Sequence, residues 1–249
     1  MRRPAKRRPG WRLSAVRNRL RLPHLPRLLR AAVLAVLALV LLPYVMAPFY
    51  AFGRPVSTVM LWRWITGAPV ERIYAPLSRI SHNLKLAVII AEDDRFCSNY
   101  GVAFRALGHA LAKSDDIDEM RGFSTITQQV AKNLFLWSSR SYLRKALEIP
   151  LALWIDLVLS KRRILEIYLN IAEWGPDGQF GVEAGSRYAF GKSAHSLSRY
   201  RAALLAAVLP NPHDRNARRP GRDLRRLASL YVARAARAPD LTYCLSRGD

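Results

Sequence analysis

Hydrophobicity is unbroken in one place along the chain and periodic almost everywhere after it. From Ala31 the sequence runs AAVLAVLALVLLPYVMAPFYAFG without a charge, long enough to cross a hydrocarbon core about 30 Å thick. Residues 31–51 are therefore predicted to be a transmembrane helix. Residues 52–83 mix apolar and polar positions and are punctuated by Pro55, Gly67, Pro69 and Pro76, the pattern of a membrane-proximal neck. LKLAVIIAEDDRF, from Leu84, predicts a buried helix ending in a burst of carboxylates. KSDDIDEMRGF, 113–123, is polar without periodicity and predicts a mobile loop.

Helical spacing returns in GFSTITQQVAKNLFLW and in the long stretch SYLRKALEIPLALWIDLVLSKRRILEIYLNIAEW, where Pro150 marks an expected break or kink. GPDG at 175–178 is a turn signal, and GVEAGSRYAF resumes helix as far as Gly191. RAALLAAVLPNP reads as a buried helix stopped by its prolines. From Arg222, Leu224, Leu227, Ala228 and Tyr231 recur at helical spacing among arginines, predicting an amphipathic helix within a C-terminal segment 213–249. No repeat and no strand-rich block is present, so the fold is expected to be mainly α.

Charge changes the picture at the N-terminus. The formal net charge is +22, and the first thirty residues carry eleven Lys and Arg and no acid. Beside a membrane span these cations follow the positive-inside rule: residues 1–30 form a cytoplasmic tail, and the chain after the span emerges on the far side. A cleaved signal peptide is the competing reading, but its basic region would be unusually long and its apolar run exceeds the usual length of about 7–15 residues. Cys97 and Cys244 are compatible with an oxidising compartment, and their spacing leaves pairing open. No Cys or His cluster of metal-ligand spacing occurs, so no structural metal is expected.

Candidate chemistry begins on the helix after the loop. With Thr125 at zero and 100° per residue, Gln128 falls at about −60°, Lys132 at about −20° and Gln129 at about +40°, opposite Ile126, Val130 and Leu134. Thr125 and Gln128 form a capping box, which accounts for part of that face. The remainder is either a solvated surface or an anion site at a helix N-terminus. Arg140, Arg144 and Lys145 follow closely, and Arg144 lies one turn before Glu148, an acid in otherwise apolar surroundings that needs partners. Glu92 closes the apolar run LAVIIA with Asp93 and Asp94 behind it; partial burial and like charge both raise a carboxylate pKa, as a general base near neutral pH requires. Paired carboxylates alone suit a glycosidase. The cations fit better with a diphosphate leaving group.

EDDRFCSNYG (92–101), GFSTITQQVAKNLFL (122–136), RKALE (144–148), KRRILEIYLN (161–170) and GVEAGSRYAFGK (181–192) occur in order in this chain. Together they resemble the glycosyltransferase family 51 domain of monofunctional biosynthetic peptidoglycan transglycosylases, over about residues 84–212. The resemblance implies a lysozyme-like, mainly α-helical glycosyltransferase domain behind a single N-terminal transmembrane helix. Its activity would be polymerisation of lipid II with inversion, forming β-1,4 links and releasing undecaprenyl diphosphate, the growing glycan chain being the donor. By motif position Glu92 is the implied base and Glu148 the second catalytic glutamate. Lys132 and Arg140 are the implied diphosphate ligands, while Ser124, Gln128, Gln129 and Arg144 line or support the same cleft. A divalent cation at the donor diphosphate, magnesium or manganese, stays open as a cofactor.

The implied location is the bacterial inner membrane with the catalytic domain periplasmic. The implied partners are lipid II and glycan, the bilayer, and other cell-wall synthesis or division proteins; nucleic acid is not expected. Asn99 stands where the resemblance leads one to expect His, and Asn cannot titrate near neutral pH. The transpeptidase strings S-x-x-K and K-T-G do not occur, so cross-linking is expected to fall to another protein. The rival activity is lysozyme-like, lytic cleavage of finished glycan.

Overall fold

A computed structural model of the chain describes residues 26–104, 108, 124–139 and 141–246. Most of the expected tail 1–30, the expected loop 113–123 and Arg140 lie outside the described residues. The chain divides after Val40 into two compact units. Helix α1, Arg27–Met46, has no buried residue and, with the turn that follows to Ala51, is long and apolar enough to span a bilayer. The second unit begins at Leu41 and holds the remaining elements. These are α2 (Thr58–Ile65), α3 (His82–Glu92), α4 (Ile126–Phe135), α5 (Tyr142–Val158), α6 (Lys161–Ile171), α7 (Val182–Phe190), α8 (Arg199–Ala206) and α9 (Arg222–Arg237). A 3-10 segment, Pro239–Leu245, follows.

Hydroxyl caps set where these helices start. Ser57, Ser81, Thr125, Ser141, Ser160 and Ser198 each accept a backbone N–H of the first turn of α2, α3, α4, α5, α6 and α8, an interaction worth about 1 kcal/mol apiece. The capping box at Thr125 and Gln128 forms as its sequence predicts. Helix α7 ends at Gly191 in the left-handed conformation. Pro150 lies inside α5, and the break expected there falls instead after Val158, where Ser160 caps α6. Pro150 costs α5 one hydrogen bond, which the burial of Leu151, Ala152 and Ile155 on the core side offsets.

The helices pack as two sets. Helices α3, α8 and α9 contact one another, and α4 packs on α5 and α6. Residues between the span and α3 join this core: Met60, Ala75, Leu77 and Ile80 are buried, and strand β1 (Glu71–Arg72) pairs in parallel with β2 (Gln179–Phe180). Asn170 holds the same segment from α6, its side chain bonding both the N–H and the carbonyl of Ala75 at 2.8 Å.

Two long-range ties matter for the site. Cys97 and Cys244 form a disulfide closing a separation of 147 residues, a constraint of about 5 kcal/mol on the unfolded chain in loop-entropy terms. Gly101 sits at φ +81°, where an added Cβ would lie 2.6 Å from the Ala152 carbonyl oxygen. Gly101→Ala is expected to lose about 2–4 kcal/mol from positive φ and overpacking together. A fall in Tm of roughly 5–15 °C on thermal unfolding would register it.

Candidate active site

Glu92 is the last residue of α3, whose buried Leu84, Val88 and Ile89 fix the helix in the core. One carboxylate oxygen, Oε2, accepts from Gln129 Nε2 on α4 at 2.6 Å. The Gln129 carbonyl oxygen accepts in turn from the hydroxyl of Tyr168 on α6 at 3.2 Å, which turns the amide nitrogen towards the acid. Among the described residues, Glu92 Oε1 is buried without a hydrogen-bond partner. Burial pushes the Glu92 pKa up; the Gln129 bond and the charges of Lys132 and Arg215 pull it partly back, and Asp93 adds a small push upward. A carboxylate with one oxygen anchored and the other bare is equipped to accept a proton. Burial, with Glu92 nearby, raises the Tyr168 hydroxyl well above its usual pKa, so it stays a donor.

Lys132 stands three residues along α4 from Gln129, half-buried, and forms no ion pair of its own among the described residues. Burial lowers its pKa, Glu148 and Glu92 raise it, and Arg144 and Lys145 lower it. Its ammonium is thus within the field of both glutamates. Glu148 itself is buried and fully engaged: Arg144 Nη1 binds Oε2, and Lys145 Nζ binds Oε1 at 2.6 Å. Lys145 reaches Ser124 Oγ at 2.9 Å, and Arg144 Nε donates to the Ser139 carbonyl at 2.9 Å. The partners that Glu148 needed are therefore two consecutive cations from its own helix. Both of its oxygens are taken by these two cations, and no group of three or more His, Cys, Asp or Glu occurs among the described residues.

Asp93 has a different task from its neighbour. Its carboxylate accepts Asn99 Nδ2 at 3.0 and 2.9 Å and the backbone N–H of Ile126, the first residue of α4, at 3.1 Å. Asn99 Oδ1 accepts the Gly101 N–H and Lys161 Nζ, each at 3.0 Å. Lys161 also pairs with Asp156 at 2.6 Å. The amide of Asn99 thereby bridges an acid and a cation with no titrating ring, and the network fixes the N-terminus of α4 against the end of α3.

Of the residues predicted from sequence, Glu92, Gln129 and Lys132 come together on one side, and Ser124, Arg144 and Glu148 come together beside Lys132. Gln128 is buried and spends its side chain on the capping box, supporting the helix rather than facing a cleft. Lys145, one of the cations that follow Lys132 in the sequence, takes the second oxygen of Glu148. Tyr168 joins the site with no signal in the sequence, since nothing local marks it.

The transglycosylase family profile matches residues 60–235. A protein of Rhodopseudomonas palustris (strain TIE-1) named biosynthetic peptidoglycan transglycosylase is 57% identical over 222 residues, covering 89% of this chain and 94% of its own. Proteins of the same name from Nitrobacter winogradskyi and Agrobacterium fabrum are 57% and 48% identical, each over 220 residues, covering 88% of this chain and 97% of theirs. With a family match across most of its length and relatives this similar, the chain belongs to the transglycosylase family and is an enzyme of glycosyl transfer.

Proposed function

We propose that the chain polymerises the glycan of peptidoglycan from lipid II, with the growing lipid-diphosphate-linked chain as donor. The observation that carries this reading is the bare Glu92 Oε1 in the field of the Lys132 cation. Glu92 Oε1 takes the proton of the acceptor's 4-hydroxyl as that oxygen attacks the donor's anomeric carbon. The bond to the diphosphate breaks on the opposite face, its electron pair leaves on the phosphate oxygen, and the configuration inverts. Lys132 meets the charge that develops on the leaving oxygen, a role that motif position also assigns to Arg140. Glu148 acts through the cations it holds, setting Arg144 and Lys145 towards the same leaving group.

A second feature supports a lipid-borne substrate. The carbonyl of Tyr44, at the end of α1, accepts from Trp154 Nε1 at 2.8 Å, and Arg163 binds the carbonyls of Tyr50 and Gly53 at 2.8 and 2.6 Å. Tyr50 stacks on Phe135 with centroids 5.5 Å apart, and Thr58 Oγ1 donates to the Leu136 carbonyl at 2.7 Å. The exit of the span and the start of α2 therefore straddle the same end of α4, one turn from Lys132. Around that end Phe52 is 82% exposed, and α2 turns Trp62 and Ile65 outward at 65% and 79%. Exposed tryptophans beside a span belong at the interface of a bilayer, and that depth is where a lipid diphosphate lies. A disulfide fits the periplasmic side of an inner membrane, with the basic tail cytoplasmic.

The test gives the full-length protein, in detergent, two substrates. With lipid II it is expected to form long glycan strands and release undecaprenyl diphosphate; with finished sacculi, to release no soluble fragments. Dissolution of sacculi with lipid II left intact would instead establish the lytic activity.

A further inference from the structure

The 3-10 segment Pro239–Leu245 lies beyond the family match, which ends at residue 235. It nonetheless grips the loop that carries the active-site motif. Cys244 is bridged to Cys97, with Cα atoms 5.4 Å apart. The hydroxyl of the adjacent Tyr243 donates to the Cys97 carbonyl at 2.8 Å. Arg162 on α6 holds the end of the segment through the Leu245 carbonyl at 2.9 Å. One turn before the segment, Arg234 pairs with Asp94 at 3.1 Å. Thr242 and Leu245 are buried, so the strap is seated in the core and is not a loose tail.

What the strap grips is the span 93–101, and that span aligns two helices. Asp93, itself held by the Asn99 amide, accepts the first N–H of α4, and the Gly101 carbonyl accepts Thr125 Oγ1 at 2.6 Å. Helix α4 in turn presents Gln129 to Glu92. Cys97 sits at the middle of this loop, between Asp93 and Gly101, so a covalent tie there limits how far the α4 N-terminus can shift against the end of α3. A misplacement of about 1 Å at such a site costs on the order of a hundredfold in rate.

We propose that the Cys97–Cys244 bridge, assisted by Tyr243, is a positioning element of the active site, so that turnover by this chain requires the bridge to be oxidised. The inference rests on Glu92 as the base. A dithiol reductant opens the bridge by passing it two electrons and two protons, giving two thiols while the reductant closes to its own disulfide. The strap then keeps only its noncovalent ties, and the loop and the start of α4 loosen together.

The experiment uses the full-length protein in detergent, oxidised and after dithiothreitol, together with the C97S/C244S double variant and Tyr243→Phe. Thiol titration is expected to find none before reduction and two after it. On reduction kcat should fall about ten- to a hundredfold with KM for lipid II little changed, and reoxidation should restore it. The double variant should sit at the reduced level and ignore dithiothreitol, and Tyr243→Phe should lose less with its bridge intact. Amide exchange should quicken in 93–101 and at Ile126 while α6 stays protected, a local change that lowered global stability would not give.

An unchanged kcat with two thiols titrated, or two free thiols in protein isolated from an oxidising compartment, would overturn the proposal. Glu92→Gln is assayed alongside. Full activity of that variant would defeat the base assignment, and the exchange measurement would still decide whether the bridge holds the loop.

Discussion

Glu92→Gln is expected to lower kcat for lipid II polymerisation by about 10²–10⁴-fold while Tm holds or rises. The two outcomes share one cause. Gln129 already satisfies Oε2, and an amide carbonyl at that position keeps the bond, so the packing of α3 on α4 survives. What the substitution removes is a charge whose other oxygen is buried without a partner and whose ionisation burial opposes; the neutral amide relieves that cost but has no basic lone pair for the acceptor's proton. The pH–rate profile carries the same signature. The base works only when ionised, and burial raises its pKa, so the acid limb of kcat/KM should lie above the ordinary carboxylate range and vanish from the residual rate of the variant. A variant as fast as wild type in a continuous lipid II assay would end the assignment.

How much of this could be read from sequence depends on how local each interaction is. An apolar N-terminal helix long enough to span a bilayer, the helix from Ile126, its capping box and the stop at Gly191 depend on neighbours within one turn, and all are found. Pro150 misleads because its cost to α5 is local and the packing that offsets it is not. Residues 52–83 look like a neck because their apolar residues are scattered. Their partners, Asn170 and Glu166 on α6, lie about ninety positions away.

The site follows the same rule. Arg144 before Glu148 is legible as an i,i+4 pair, whereas the chain from Tyr168 through Gln129 to Glu92 joins positions 39 and 37 residues apart. Gln129 can be named as polar on the right face, but only the fold shows that it anchors one oxygen and leaves the other bare. The fate of Asn99 was equally hidden. An amide can replace an imidazole here because Asp93 needs a donor and Lys161 an acceptor, and one Asn side chain supplies both.

Lys132→Met should lower kcat by about 10²–10³-fold and move the acid limb of the profile upward, a combination that distinguishes Lys132 from the other cations. Methionine keeps the unbranched stem that packs along α4, so the loss is confined to the charge. Arg144 and Lys145 are each paired with Glu148, so that carboxylate offsets part of the charge they can offer a phosphate. Among the described residues Lys132 has no such pair, so no carboxylate contact offsets its charge towards a leaving diphosphate. The same cation lowers the pKa of Glu92; without it the base takes up its proton at higher pH and activity is lost sooner on acidification. Lys132→Arg restores the charge but in a broad planar group, and should recover the position of the acid limb better than it recovers kcat. A Lys132→Met enzyme with wild-type kcat at saturating lipid II would place the leaving group elsewhere. A large fall in kcat with an unmoved acid limb would separate Lys132 from Glu92 and assign its effect to the donor side alone.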